Sequence, residues 1–177
     1  MCKLDQIIDK CRQGDRKAAE KIYRMFSAKM FAICLRFSRD RSEAEDTLQD
    51  GFIKLFDSIG QYSGKGSFEG WMKKIFINLS LEKFRNKHQL QLVEEVPDIV
   101  ESDIDDTVDI PSEILTDFVE QLPERYKLVF NLYVMEEMQH KDIAMALGIT
   151  EGTSKSNLAR AREILKRKVR EYLNHEQ

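Results

Sequence analysis

Three groups of residues have types and spacings that could do chemistry, and the chemistry is recognition rather than bond making. The first is aromatic. Tyr62, Phe68 and Trp71 border a loop holding Gly60, Gly64 and Gly66, with Lys65, Lys73 and Lys74 close in sequence. Aromatic faces stack unpaired bases while nearby ammonium groups neutralise phosphates, so this set suits single-stranded nucleic acid. The spacing of Phe68 and Trp71 fits a helix core equally well, and core is the reading favoured for both; Tyr62 is the better stacking candidate. The second group is Glu45, Asp46, Gln49 and Asp50, whose spacing puts carboxylates on the polar side of one helix, facing a basic partner surface. The third is a polar helical face. With Leu158 at the centre of the buried stripe and about 100° per residue, Thr153, Ser156, Arg160 and Arg167 fall within roughly 60° of the opposite pole. Gly152 and Ala159 keep that face slim, and Lys155 and Lys166 flank it, where long cations reach phosphates. A short polar face with basic flanks is what insertion into a major groove requires. Arg162 falls on the core side of the same wheel.

Other chemistries find no residues to carry them. There is no P-loop, no nucleophile–base pair and no metal-ligand cluster, so neither catalysis nor a cofactor nor a metal is expected. Cys2, Cys11 and Cys34 are odd in number and lack CxxC spacing, which argues against structural disulfides and a closed zinc site. No apolar run approaches the roughly 18 residues a membrane span needs. The first twenty residues already carry Lys3, Asp5, Asp9, Lys10, Arg12, Asp15, Arg16, Lys17 and Glu20, which is no signal peptide. A cytoplasmic protein without membrane contact of its own is expected.

The elements that must position these groups are helical throughout. Leu4, Ile7, Ile8 and Cys11 open the chain at helical spacing. After Gly14-Asp15, the residues Ile22, Phe26, Met30, Ile33 and Phe37 mark a long amphipathic helix. Ser42, with Glu45 three residues on, reads as the capping box of a third helix with the stripe Ala44, Leu48, Phe52, Leu55 and Ile59. A fourth helix carries Phe68, Trp71, Ile75 and Leu79 on one face. Near the C-terminus, Ala144, Gly148, Ile149 and Thr150 have the offsets of a helix-turn-helix: a small residue at the crossing, a glycine for positive φ, an apolar plug and a cap. A generic helical hairpin would share those offsets. The final helix has the stripe Leu158, Ala161, Leu165, Val169 and Tyr172.

Charge divides the chain. Residues 1–88 hold 18 Lys/Arg against 12 Asp/Glu, a net of +6; residues 89–124 hold 12 acids and no Lys/Arg; residues 125–177 hold 10 Lys/Arg against 7 acids, a net of +3. Two mildly basic blocks separated by an acidic stretch fit two nucleic-acid-facing modules on a solvated tether, and equally two ordinary domains with a charged linker.

Three blocks together resemble one family, the extracytoplasmic-function (ECF) sigma factors of the sigma-70 class. The run Ser42-Glu43-Ala44-Glu45-Asp46-Thr47-Leu48-Gln49-Asp50-Gly51-Phe52-Ile53-Lys54 is similar to the family's segment that docks on the clamp coiled coil of RNA polymerase. Phe68-Glu69-Gly70-Trp71-Met72-Lys73-Lys74-Ile75-Phe76-Ile77-Asn78 resembles the −10 and promoter-melting segment. Leu122-Pro123-Glu124-Arg125 onward, through Asp142-Ile143-Ala144, Gly148-Ile149-Thr150 and Gly152-Thr153-Ser154-Lys155-Ser156 to Ala159-Arg160-Ala161-Arg162, resembles the −35-reading domain. Three departures stand out: Gly51 inside the docking helix, Ser154 in place of an apolar residue and Asn157 where the family often has Arg.

The resemblance implies an all-α fold of two small helical domains, a four-helix region 2 type over 1–88 and a helix-turn-helix region 4 type over 112–177, joined by an acidic linker over 89–111. It implies polymerase binding through Glu45, Asp46, Gln49, Asp50 and Ile53. It places −10 contacts at Tyr62, Lys65, Lys73, Lys74 and Asn78, with a flipped base in loop 60–66. It places −35 contacts at Thr153, Lys155, Ser156, Arg160, Lys166 and Arg167. Core RNA polymerase, promoter DNA and an anti-sigma factor are the implied partners. The alternative is a free-standing helix-turn-helix regulator that uses its first block to dimerise.

Overall fold

The computed structural model describes residues 3–88 and 110–175, and the chain divides into two compact units between Lys87 and His88. The described residues form helices joined by turns, without a strand. Most of the expected linker, residues 89–109, lies outside the described residues.

The N-terminal unit holds α1 (Lys3–Arg12), α2 (Arg16–Phe37), α3 (Arg41–Ser58), a single 3₁₀ turn (Ile59–Gln61) and α4 (Phe68–His88). Asp15 starts α2 by accepting from the N–H groups of Lys17 (2.8 Å) and Ala18 (3.2 Å). Ile22, Phe26, Met30, Ile33 and Phe37 line the core as their spacing predicts. α3 begins two residues before the expected start. Asp40, not Ser42, caps it by accepting from the Glu43 N–H at 2.9 Å, and the Glu43 carboxylate accepts from the Arg39 N–H at 2.7 Å. An aspartate at the cap satisfies the orphan donors that Ser42 was expected to serve.

The stripes of α3 and α4 also differ from expectation. In α3, Thr47 and Gly51 are buried beside Ala44, Phe52 and Leu55, and Leu48 is only half-buried. Thr47 is accommodated because its hydroxyl donates to the Glu43 carbonyl at 2.7 Å. In α4 the buried residues are Phe68, Met72, Phe76, Ile77, Ser80 and Leu81, leaving Trp71, Ile75 and Leu79 half-buried. Apolar and charged residues are mixed around α4, so periodicity cannot set its rotation; packing does. The Phe76 ring occupies the space where a Cβ at position 51 would sit, 2.2 Å from its Cε1. The glycine inside α3 thus admits an aromatic ring of its own unit.

Cys11 and Cys34 are buried and outside any disulfide. Burial raises both thiols, Cys34 to about 12, so neither is a nucleophile near neutral pH.

The C-terminal unit comprises α5 (Ser112–Glu120), α6 (Glu124–Phe130), one π turn (Asn131–Met135), α7 (His140–Leu147) and α8 (Glu151–His175). α5, α6 and α7 all pack against α8. Lys127, 7% exposed, pairs with Glu120 at 3.1 Å and ties α6 to α5. The π turn closes with the Glu136 N–H donating to the Asn131 carbonyl at 3.1 Å, and Glu137 follows at φ +55. Gly148 adopts φ +68, the left-handed cap that the helix-turn-helix reading requires. Thr150 accepts from the Thr153 N–H at 3.0 Å and starts α8.

Gly51→Ala should lower the stability of the N-terminal unit by about 1–3 kcal/mol through overpacking. Urea denaturation of the full chain reads this as an earlier midpoint, and adding Phe76→Leu should recover part of the loss.

Candidate nucleic-acid interface and docking face

The acidic face is a consequence of which side of α3 is buried. With Ala44, Thr47, Gly51 and Leu55 turned inward, Glu45, Asp46, Gln49, Asp50 and Ile53 are all exposed. Arg41 pairs with Glu45 at 2.8 Å, and Lys83 reaches from α4 to Asp50 at 2.7 Å and to the Thr47 hydroxyl at 3.2 Å. Ile53, 54% exposed, adds an apolar residue at the end of the acids. A row of carboxylates ending in an exposed aliphatic side chain is chemically matched to a basic surface with an apolar pocket. Sequence reasoning missed Tyr23, exposed on α2 with its ring 4.7 Å from that of Phe52; nothing in the α2 stripe sets it apart.

The aromatic loop is built on one cluster. Tyr62 lies 5.1 Å from Phe68 and 5.4 Å from Trp71, and Phe68 lies 5.8 Å from Trp71, between ring centroids. Phe68 is core, as its spacing suggests, and meets Phe26 at 6.0 Å. Trp71 is not: it is half-buried at the rim, beside the half-buried Tyr62. The Tyr62 hydroxyl donates to the Gly66 carbonyl at 2.8 Å, drawing the loop closed, with Gly64 and Gly66 at positive φ. Lys65 is exposed on the loop. Lys74 and Asn78 are exposed on the side of α4 that carries Trp71, three and seven residues on. Lys73 is set apart, about 160° around the helix from Trp71 and half-buried. Tyr62, Trp71, Lys74 and Asn78 therefore combine stacking area, a cation and an amide, and Lys73 stands on another flank.

α8 is rotated relative to expectation. Ser154, Asn157, Leu158 and Ala161 are its buried residues, so the buried stripe centres on Ser154 and Ala161, about 60° from Leu158. Two of the four are polar, which is why an apolar stripe alone misplaced the centre. Ser154, fully buried, is satisfied by His140 Nδ1 at 2.9 Å. Two corrections follow. Arg162 is not on the core side; it is exposed, with its guanidinium 5.8 Å from the Tyr133 ring centroid. Thr153 is half-buried rather than polar-pole, its hydroxyl 2.8 Å from that of Thr150 at the cap. Gly152, Lys155, Ser156, Ala159, Lys166 and Arg167 remain on the outer side, with Arg160, half-buried and 3.4 Å from Glu163, on one flank and Arg162 on the other. Lys155 pairs with Glu151 at 2.8 Å, and its hydrogen bond and charge lower the Glu151 carboxyl. A slim outer face flanked by cations survives the rotation, with its pole near Gly152 and Ala159.

His140 stacks on Tyr133 at 4.6 Å, and its pKa is lowered, first by burial and then by the Lys155 charge. The folded state thus favours the neutral ring. The resulting stability is present above the ordinary histidine value of about 6.5 and is lost as pH falls from there through the folded value. An NMR titration of His140 should give a value below 6.5. The unfolding midpoint of the C-terminal unit should drop over that acid window in the parent chain and do so less in His140→Asn.

Comparison with known proteins bears on the two units. Residues 22–89 match the family described as Sigma-70 region 2, and residues 112–165 match Sigma-70, region 4. The RNA polymerase sigma-H factor of Pseudomonas aeruginosa is 26% identical over 174 residues, covering 90% of each chain. The ECF RNA polymerase sigma factor SigM of Bacillus subtilis is 28% identical over 153 residues, covering 83% of this chain and 92% of that one. Among solved structures, the sigma factor RpoE from Bartonella quintana, in complex with the anti-sigma factor NepR, shares the fold with a TM-score of 0.52 at 17% identity, over 85% of this chain and 96% of that one. With both sigma regions matched in order on separate helical units, the chain belongs to the sigma-70 family, in its extracytoplasmic-function group.

Proposed function

We propose that this chain acts as an alternative sigma factor through three separate surfaces. As a sigma factor it binds core RNA polymerase and directs promoter recognition and transcription initiation. The acidic face of α3, Glu45, Asp46, Gln49 and Asp50 with Ile53, is the proposed polymerase contact. The loop after α3, with Tyr62 and Lys65, and the α4 residues Lys74 and Asn78 are proposed for the −10 element; Lys73 is proposed as a phosphate contact from its own flank. The outer face of α8 is proposed for the −35 element, with Ser156, Arg160 and Arg167 near bases and Lys155, Lys166 and Arg162 reaching phosphates. Thr153 contributes as part of the cap that sets the helix entry.

The observation that carries this reading is the order of parts. An exposed acidic helix precedes an aromatic loop in one unit, and a capped helix with a slim basic face lies in the other. A free-standing regulator would need the second unit but not the acidic face. The chain lends specificity and contributes no group to bond making. Its place of action is the cytoplasm, where polymerase and promoter are; among the described residues no helix is long and apolar enough to cross a membrane. An anti-sigma factor, the partner described for the Bartonella quintana relative, is the proposed inhibitor.

The decisive experiment is reconstitution. Purified chain alone should leave promoter duplex unshifted, and chain plus core polymerase should shift and transcribe it. Asp46→Lys with Asp50→Lys should abolish assembly with core while circular dichroism stays unchanged. A specific duplex shift by the chain alone would instead support the free-standing regulator. On a promoter library, Arg160→Ala should relax −35 preference by about 1–3 kcal/mol. Lys155→Ala and Lys166→Ala should weaken all promoters alike and flatten the salt dependence.

A further inference from the structure

The loop that follows α3 is rich in glycine and carries little that would hold it in one shape. Gly60, Gly64 and Gly66 lack the Cβ that would restrict the backbone, and Lys65 between two of them is exposed. An unbraced loop of this kind would lose conformational entropy each time it closed on a base. Two contacts fix it. Its exit is held by the Tyr62 hydroxyl on the Gly66 carbonyl. Its entry is held from α1, by a residue that none of the expected site groups contains.

Arg12, the last residue of α1, directs its guanidinium at the start of the loop. Nε donates to the Ile59 carbonyl at 3.4 Å, Nη2 donates to the Tyr62 carbonyl, and the group lies 5.9 Å from the Tyr62 ring centroid. Nη1 donates to Asp9 at 2.9 Å, one turn back on the same helix, which orients the planar fork. α1 is itself anchored by Ile8 and Cys11 in the core, so the fork projects from a fixed base. Only a guanidinium offers three such directions at once; an ammonium is a point donor. The segment matched to Sigma-70 region 2 starts at residue 22, beyond α1, so the match assigns Arg12 no part.

We propose that Arg12 is a positioning residue for −10 recognition, holding the 59–62 backbone so that the Tyr62 ring and the loop stand preformed for an unstacked base. The proposal rests on the assignment of this loop to the −10 element. Its prediction is specific: removing the fork should cost affinity for the base the loop receives, and little for the rest of the strand.

The test uses holoenzyme and fluorescent single-stranded oligonucleotides carrying the non-template −10 element, intact or with one abasic site at each position in turn. For the parent chain, one abasic position should weaken binding most, identifying the base the loop receives. Arg12→Ala should bind the intact oligonucleotide roughly five- to tenfold more weakly. It should lose little further on the oligonucleotide abasic at that position, while its affinity for core polymerase stays at the parental level. Arg12→Lys, keeping the charge but not the fork, should recover only part of the intact-strand affinity. Equal losses on intact and abasic strands would overturn the positioning role, as would parental binding by Arg12→Ala on both. If no abasic site weakens the parent chain, the loop assignment itself fails, and the proposal falls with it. Should Arg12→Ala not assemble with core, the comparison of Arg12→Lys on intact and abasic strands decides by the same criteria.

Discussion

The N-terminal unit turns on the place where Phe76 meets Gly51. Phe76 is fully buried, and its ring stands edge-on to Phe52 at 5.2 Å. Because a Cβ on residue 51 would lie 2.2 Å from that ring, α3 and α4 can approach this closely only with glycine there. The contact sets the rotation of two helices at once. With Gly51 inward, Glu45, Asp46, Gln49, Asp50 and Ile53 fall on the far side of α3. With Phe76 inward, Trp71, Lys74 and Asn78 fall on the far side of α4. A core contact thereby turns outward both the proposed polymerase-docking face on one helix and the proposed base-facing set on the next. The helix-propensity cost of glycine in α3, about 1 kcal/mol, is offset by the burial of an aromatic side chain.

The C-terminal unit solves the same problem of rotation with polar groups. Ser154 and Asn157 are buried on the side of α8 where aliphatic residues would ordinarily sit. Ser154 is tolerated because α7 begins with His140, whose ring nitrogen lies within hydrogen-bonding reach and whose face is stacked on Tyr133. A buried hydroxyl demands one partner in one direction, whereas an aliphatic side chain accepts several packings. The pair therefore selects one rotation of α8, and Arg162 resting over Tyr133 extends the same arrangement to the surface.

Much of this was legible in the residues. The helices of the first unit, the positive φ at Gly148, the Thr150 cap and the exposure of the acidic face all follow from spacing and local chemistry. The failures share a cause. The stripes of α3, α4 and α8 were each drawn through apolar residues. In α3 and α8 residues outside that rule set the phase, Thr47 and Gly51 in one and Ser154 and Asn157 in the other; in α4 apolar residues lie on several sides, and the seating of Phe76 against Gly51 set it. Arg12 was invisible for a different reason. Its partners are backbone carbonyls 47 and 50 residues away, and side chain to backbone contacts at that distance leave no pattern along the chain.

The electrostatics of α8 bear on how its proposed DNA-facing side would avoid binding indiscriminately. Three of its outward cations are already paired with acids one turn away: Lys155 with Glu151 at 2.8 Å, Arg160 with Glu163 at 3.4 Å and Arg167 with Glu171 at 3.9 Å. These are exposed or half-exposed pairs, each worth about 0–1 kcal/mol, so a phosphate can displace the carboxylate at small cost. The acids remain on the helix after the exchange, however, and their charge repels the phosphate backbone wherever a cation does not meet a phosphate. Non-specific attraction to the DNA backbone is correspondingly weakened. In the proposed −35 contact, the placements that keep affinity are those in which several cations find phosphates together while the slim strip along Gly152, Ser156 and Ala159 fits the groove. On that reading, register along the DNA would be enforced by the same charges that supply the attraction.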